Sequence, residues 1–195
     1  MDRKGNVWFG TRQGVSVLSP EGRQTTYTAA DGLIGDVVQA IAIDRQGNPW
    51  FATDRGVSGL SLTTGEWTSY GVANGLPGEQ VHALVIDREG QKWFSIWQRG
   101  VALLSADGRE WRTYTRLDGL ARDVVRGIAF DADGNRWFAT RGGVSRLSPD
   151  NVNWTVYSLF EGLAGERVQA IAVDRQGNVG FGTNGGVSAL RREGD

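Results

Sequence analysis

Cysteine is absent from this 195-residue chain, and histidine and methionine each occur once. The first absence excludes disulfides and thiolate metal sites, although it does not fix the compartment. The single histidine, His82, excludes a His-rich metal centre. Lysine is scarce too: of 21 basic residues, all but Lys4 and Lys92 are arginine. Arginine suits fixed, bidentate pairing, and a G+C-rich genome gives the same bias. The formal net charge of −1 leaves no electrostatic footprint for nucleic acid or an anionic membrane. No apolar run approaches the roughly 18 residues of a membrane span, and no signal peptide is legible. No cofactor is implied.

Glycine (29) and tryptophan (8) stand out instead, with 39% hydrophobic residues, enough for a packed core. That pairing predicts short strands separated by many turns. The length suits one domain, for which about 100–200 residues is usual.

An internal repeat dominates the chain. "DRKGNVWFGT", "DRQGNPWFAT", "DREGQKWFSI", "DADGNRWFAT" and "DRQGNVGFGT" begin at Asp2, Asp44, Asp87, Asp131 and Asp174, intervals of 42, 43, 44 and 43 residues. A period of about 40–50 with strand-like segments points to propeller blades. The repeats are 2–43, 44–86, 87–130, 131–173 and a partial 174–195.

Each unit splits into four strand candidates. Strand a is the "VQAIAI" type (residues 38–43), b the "NVWFGT" type, c the "GVSVLS" type and d the "WTSY" type. Strands a and b are apolar on both faces, as expected of a small sheet sandwiched between neighbours. Asp-x-x-Gly-Asn joins a to b as a tight turn: Asp binds nearby backbone N–H groups and Gly supplies a positive φ. The ligand run of an EF-hand is absent, which argues against calcium.

The consensus V-x-x-I-x-x-D-x-x-G-N-x-W-F-G-T-x-x-G-V-x-x-L resembles the repeat of the two-component regulator propellers, sensor arrays of bacterial hybrid histidine kinases. The resemblance runs along essentially the whole chain and recurs five times. It implies a β-propeller that senses a ligand, often a carbohydrate, on the extracytoplasmic side, with no catalytic residues to carry over. The repeat is also similar to that of streptogramin lyase-type propellers, whose chemistry uses a His and a metal. One His, no Cys and no acid cluster argue against an enzyme here.

The expected fold is therefore all-β: a β-propeller of antiparallel four-stranded blades, about 43 residues each, in five blade-like units. The first unit lacks strand a and the last lacks strand d. A ring must close, since an open blade edge invites pairing. Closure could come from the last strand a completing the first blade, from five blades with two incomplete, from association of chains, or from a longer array. Self-association through open edges is one expected partner mode. Four blades is the lower limit of the usual range.

Strand order places the d-to-a and b-to-c connections at one end of the propeller, where function concentrates. The d-to-a loops repeat an acid, at Asp36, Glu79, Asp123 and Glu166, and a Leu expected to plug the core, at Leu33, Leu76, Leu120 and Leu163. The b-to-c turns carry Arg12, Arg55, Arg99 and Arg141. These charges either pair between blades or hold an anionic or sugar ligand. The second residue of strand a is polar in every full copy: Gln39, His82, Arg126 and Gln169. Such residues form a binding floor at the channel mouth or merely hydrate its entrance. Trp97 alone among the tryptophans is off pattern, in a lengthened turn on the same end. It either stacks on a ligand or partner or folds over a neighbouring blade. The functional expectation is a non-enzymatic sensor for a carbohydrate-like or small anionic ligand, with a protein-interaction scaffold as the alternative.

Overall fold

The computed structural model describes residues 1–192; the last three residues of the partial fifth repeat lie outside them. Eighteen strands form: β1 (Val7–Thr11), β2 (Gly14–Leu18), β3 (Gln24–Tyr27), β4 (Val38–Ile43), β5 (Pro49–Thr53), β6 (Val57–Leu60), β7 (Trp67–Tyr70), β8 (Val81–Ile86), β9 (Lys92–Ile96), β10 (Gly100–Leu104), β11 (Trp111–Tyr114), β12 (Val125–Phe130), β13 (Arg136–Thr140), β14 (Gly143–Leu147), β15 (Trp154–Tyr157), β16 (Val168–Val173), β17 (Val179–Thr183) and β18 (Gly186–Leu190). Among the described residues they make five antiparallel sheets in chain order: β1–β3, β4–β7, β8–β11, β12–β15 and β16–β18. The first and last have three strands and the others four. No helix among the described residues is long and apolar enough to cross a membrane.

The chain forms two compact units. One holds Met1–Ile96 with Ala102–Arg112; the other holds Trp97–Val101 and the chain from Thr113 on. In the first, Val15, Leu33, Val38, Phe51 and Leu60 make one core cluster. A second gathers Trp50, Leu76, Val81, Leu84, Phe94 and Leu104. In the second unit Trp137, Val144, Leu163, Val168, Val179 and Phe181 pack together. Leu33, Leu76, Leu120 and Leu163 are all buried, so the Gly-Leu of each d-to-a loop does plug the core.

The a-to-b turn builds itself from the Asp. In the first copy, Asp2 Oδ1 accepts the backbone N–H groups of Lys4 and Asn6 at 2.9 Å, and Oδ2 accepts Asn6 Nδ2 at 2.8 Å and Trp8 Nε1 at 2.9 Å. Trp50, Trp93 and Trp137 donate in the same way to Asp44, Asp87 and Asp131. The turn thus fixes the strand-b indole, which in the first and fourth copies faces the next sheet. Trp8 sits 5.7 Å from Phe51, and Trp137 5.9 Å from Phe181. Aromatic pairs at such separations add to the area they bury.

The end sheets depart from this scheme. Phe51, Phe94 and Phe138 are fully buried, but Phe9 at the same strand-b position is 49% exposed. In β17, Gly180 replaces the Trp, and a β-carbon there would have only Ala172 O nearby, at 3.9 Å.

Candidate functional site

Four irregularities recur in strand a. In β4, Val38 pairs with Thr53 and Ala40 with Ala52, so Gln39 is the extra residue of a β-bulge. His82 in β8, Arg126 in β12 and Gln169 in β16 hold the same bulged position. A bulge frees one residue from the ladder and re-aims its side chain. That explains why a polar residue is tolerated there in every copy. Gln39, Arg126 and Gln169 are exposed and His82 is half-buried. Gln39 and His82 belong to the first unit, Arg126 and Gln169 to the second.

The b-to-c turns are less uniform than their arginines suggest. Arg12 and Arg141 directly follow Thr11 and Thr140, Arg55 comes one residue later in its turn, and Arg99 directly precedes Gly100. The four arginines therefore do not occupy one register. All four are exposed, Arg12 and Arg55 on the first unit and Arg99 and Arg141 on the second.

The turn Trp97–Arg99 is where the second unit gathers charge. Gln98 adopts a left-handed φ of 56°, which lets the lengthened turn reverse before Gly100. The Arg141 guanidinium lies over the Trp97 ring, 5.4 Å from its centroid, a cation–π contact that fixes a long side chain. Trp97 is thereby half-buried. Next to it opens a cleft of about 280 Å3 lined by Gln98, Arg116, Arg122, Asp123, Val124 and Arg141. Three arginines and one aspartate line it. Asp123 also turns inward: its Oδ1 accepts the Arg116 backbone N–H at 2.6 Å, and its carbonyl accepts that of Gly100 at 3.0 Å. Asp36 uses its Oδ1 similarly, on the N–H of Ala29 at 2.7 Å. These acids cap their own loops. Arg141 N–H in turn donates to Val124 O at 3.1 Å, tying its turn to the d-to-a loop.

Of the residues expected from the sequence, the structure brings Trp97 and Arg141 together. Trp97 itself and Arg99, on the same turn, lie outside the cleft lining. Arg116 and Arg122 are the additions. Arg122 stands where the other d-to-a loops carry Gly35, Gly78 and Gly165, and Arg116 where they carry Ala29, Val72 and Leu159. The signal was a departure from the repeat rather than a recurrence within it. Among the described residues no group of three or more His, Cys, Asp or Glu could hold a metal ion.

No protein-family model matches the chain, and the comparison with curated proteins finds no match. Solved structures do match. The extracellular domain of the hybrid two-component system BT4673 from B. thetaiotaomicron superposes with a TM-score of 0.83 at 20% identity, covering 97% of this chain and 28% of that one. The corresponding domain of BT3049 from the same organism gives 0.70 at 20% identity, covering 96% and 32%. Virginiamycin B lyase from Staphylococcus aureus gives 0.74 at 16% identity, covering 100% and 69%.

The fold is β-propeller-like. At these identities the likeness establishes that propeller-like architecture and leaves function to the site. The chain spans less than a third of the two-component system domains it matches.

Proposed function

We propose that this propeller-like chain is a non-enzymatic ligand-recognition module of a bacterial signalling sensor, and that it binds an anionic, carbohydrate-like ligand in the cleft beside Trp97. One observation carries the reading: Arg116, Arg122 and Arg141 line one cleft with a single carboxylate, and a tryptophan ring braces one of the three. Planar guanidiniums hold carboxylate or sulfate groups bidentately. The indole next to the cleft holds one of those guanidiniums in place. The likeness to extracellular domains of two-component systems supports the sensor role. The likeness to virginiamycin B lyase is of fold, and no enzymatic activity is proposed.

Calorimetric titration with a uronic-acid oligosaccharide and its neutral counterpart tests the reading. The acidic sugar is expected to bind and the neutral one to bind at least about tenfold more weakly. Equal binding of both, or binding unaffected by Arg141→Ala, would sink it.

The exposed Phe9 on the first sheet favours a second reading, a scaffold that packs against another protein or a copy of itself. Light scattering over a concentration series separates the two: this reading requires concentration-dependent mass.

A further inference from the structure

Three sheets carry a fourth strand that begins with tryptophan: Trp67 in β7, Trp111 in β11 and Trp154 in β15. Each indole enters the same setting. Trp67 lies 5.7 Å from both Tyr27 and Phe51. Trp111 lies 5.8 Å from both Tyr70 and Phe94. Trp154 lies 5.7 Å from Tyr114 and 5.6 Å from Phe138. Each indole also covers a left-handed glycine. A β-carbon on Gly32, Gly75 or Gly119 would stand 2.6, 2.8 or 2.3 Å from it.

The fifth sheet has the receiving half of this arrangement without its occupant. Tyr157 and Phe181 are in place, 5.6 and 5.9 Å from Trp137. Gly162 is left-handed at φ 95°, yet a β-carbon on it would meet nothing within 4 Å. A cleft of about 400 Å3 opens beside Trp137, Tyr157, Val179 and Leu190. Leu190 is the counterpart of Leu60 and Leu147, which pair with Trp67 and Trp154. Val187 is the counterpart of Val57 and Val144, which pair with Tyr70 and Tyr157. Those two valines are fully buried, whereas Val187 is 81% exposed. Among the described residues β18 pairs with β17 alone.

We infer that the open edge of β18 and the adjoining cleft form a docking site for an extended Trp-x-x-Tyr segment. The segment adds antiparallel to β18, with its Trp opposite Leu190 and its Tyr opposite Val187. Main-chain hydrogen bonds supply the affinity common to any added strand, and the pocket for alternate side chains selects the sequence. The indole completes an aromatic group that is closed in the three earlier interfaces. Asp131, Asp133, Arg146, Arg191 and Arg192 also line this cleft, and no residue that lines the arginine cleft lines this one.

The probe is a labelled synthetic peptide of residues 64–72, TGEWTSYGV, which spans the chain's own Trp67–Tyr70 strand. Fluorescence anisotropy reads its binding to the whole chain, and hydrogen exchange locates it. The peptide is expected to bind and to slow exchange of the amides of residues 186–190. Its Trp→Ala version is expected to bind at least about tenfold more weakly. Both readouts leave the protein unmutated, so misfolding cannot mimic the loss. No binding at millimolar peptide overturns the inference, as does equal binding of the Trp→Ala peptide or protection confined to another sheet.

Discussion

Arg122 crosses Gly142 so closely that a β-carbon at 142 would stand 2.5 Å from Arg122 Cγ. Arg122 replaces the glycine of its sibling loops, while Gly142 is matched by Gly185 in the last copy. Between the first and second copies the small partner is Gly35, whose β-carbon would stand 3.0 Å from that of Arg55. Between the third and fourth copies the large and small partners have exchanged places. The exchange carries a guanidinium from the d-to-a loop into the cleft that Arg141 borders.

Gly142→Ala should therefore displace the Arg122 stem. Arg122→Gly, which restores the repeat, should remove the charge outright. Either change is expected to weaken an acidic oligosaccharide by about tenfold or more, the worth of one charge-assisted contact. Stability should stay within about 0.5 kcal/mol for Arg122→Gly, as for most surface substitutions. Calorimetry and a thermal melt on each variant check the two halves of this expectation.

Trp97→Ala removes the ring beneath Arg141. Affinity for the acidic ligand is expected to fall by roughly three- to tenfold, from the lost cation–π contact that holds Arg141. The ligand-induced change in intrinsic fluorescence should fall with it. Unchanged affinity together with an unchanged fluorescence response would remove Trp97 from the site.

Asp87 holds its turn through Oδ1, which accepts Glu89 and Gln91 N–H at 3.1 and 2.8 Å, and holds Trp93 Nε1 through Oδ2 at 2.9 Å. Asp87→Ala strands all three donors, and Trp93 Nε1 in a buried setting. We expect a loss of about 2–4 kcal/mol in a denaturant titration. Asp87→Asn should recover part of it, because one side-chain oxygen remains to accept.

Gly180→Trp should stabilise the last sheet. A side chain there has open space, and its indole N–H can reach the Asp174 carboxylate, as the four other copies do. The expected gain is about 1–2 kcal/mol, roughly 2–4 °C in melting temperature for a chain of this size. A fall in melting temperature would show that the glycine is required.

Acid should loosen the turns. At Asp2, burial raises the carboxyl pKa, but hydrogen bonds from Trp8 and Asn6 outweigh it and leave the value lowered. At Asp174 the Asn178 side chain is the first cause of a lowered value. A group whose folded pKa is lowered contributes stability above its unfolded value, about 3.9 for Asp, and loses it as pH falls through the folded value. The melting temperature is thus expected to hold steady near neutrality and to drop below about pH 4.

The repeat made the fold legible because period, turn and strand each had their own residue signal. Asp44, Gly47 and Trp50 alone mark a turn and the strand after it. The polar series Gln39, His82, Arg126 and Gln169 was equally visible. Its cause was not, because a bulge is a property of pairing between strands and leaves no mark in one strand. The site was harder. Arg12, Arg55, Arg99 and Arg141 look alike along the sequence, yet only Arg12 and Arg141 share a position; Arg55 comes one residue later, and Arg99 ends a longer turn. Arg116 and Arg122 escaped a reading that sought recurrence, since what marks them is that three sibling loops lack them.

The most direct measurement is the affinity of a uronic-acid oligosaccharide for the wild-type chain and for Arg122→Gly, by calorimetry at two salt concentrations. Wild type is expected to bind more tightly by about tenfold or more and to lose affinity as salt rises, because guanidinium–carboxylate attraction is screened. Equal affinities for the two chains, insensitive to salt, would contradict an anion site in the cleft of Arg116, Arg122 and Arg141.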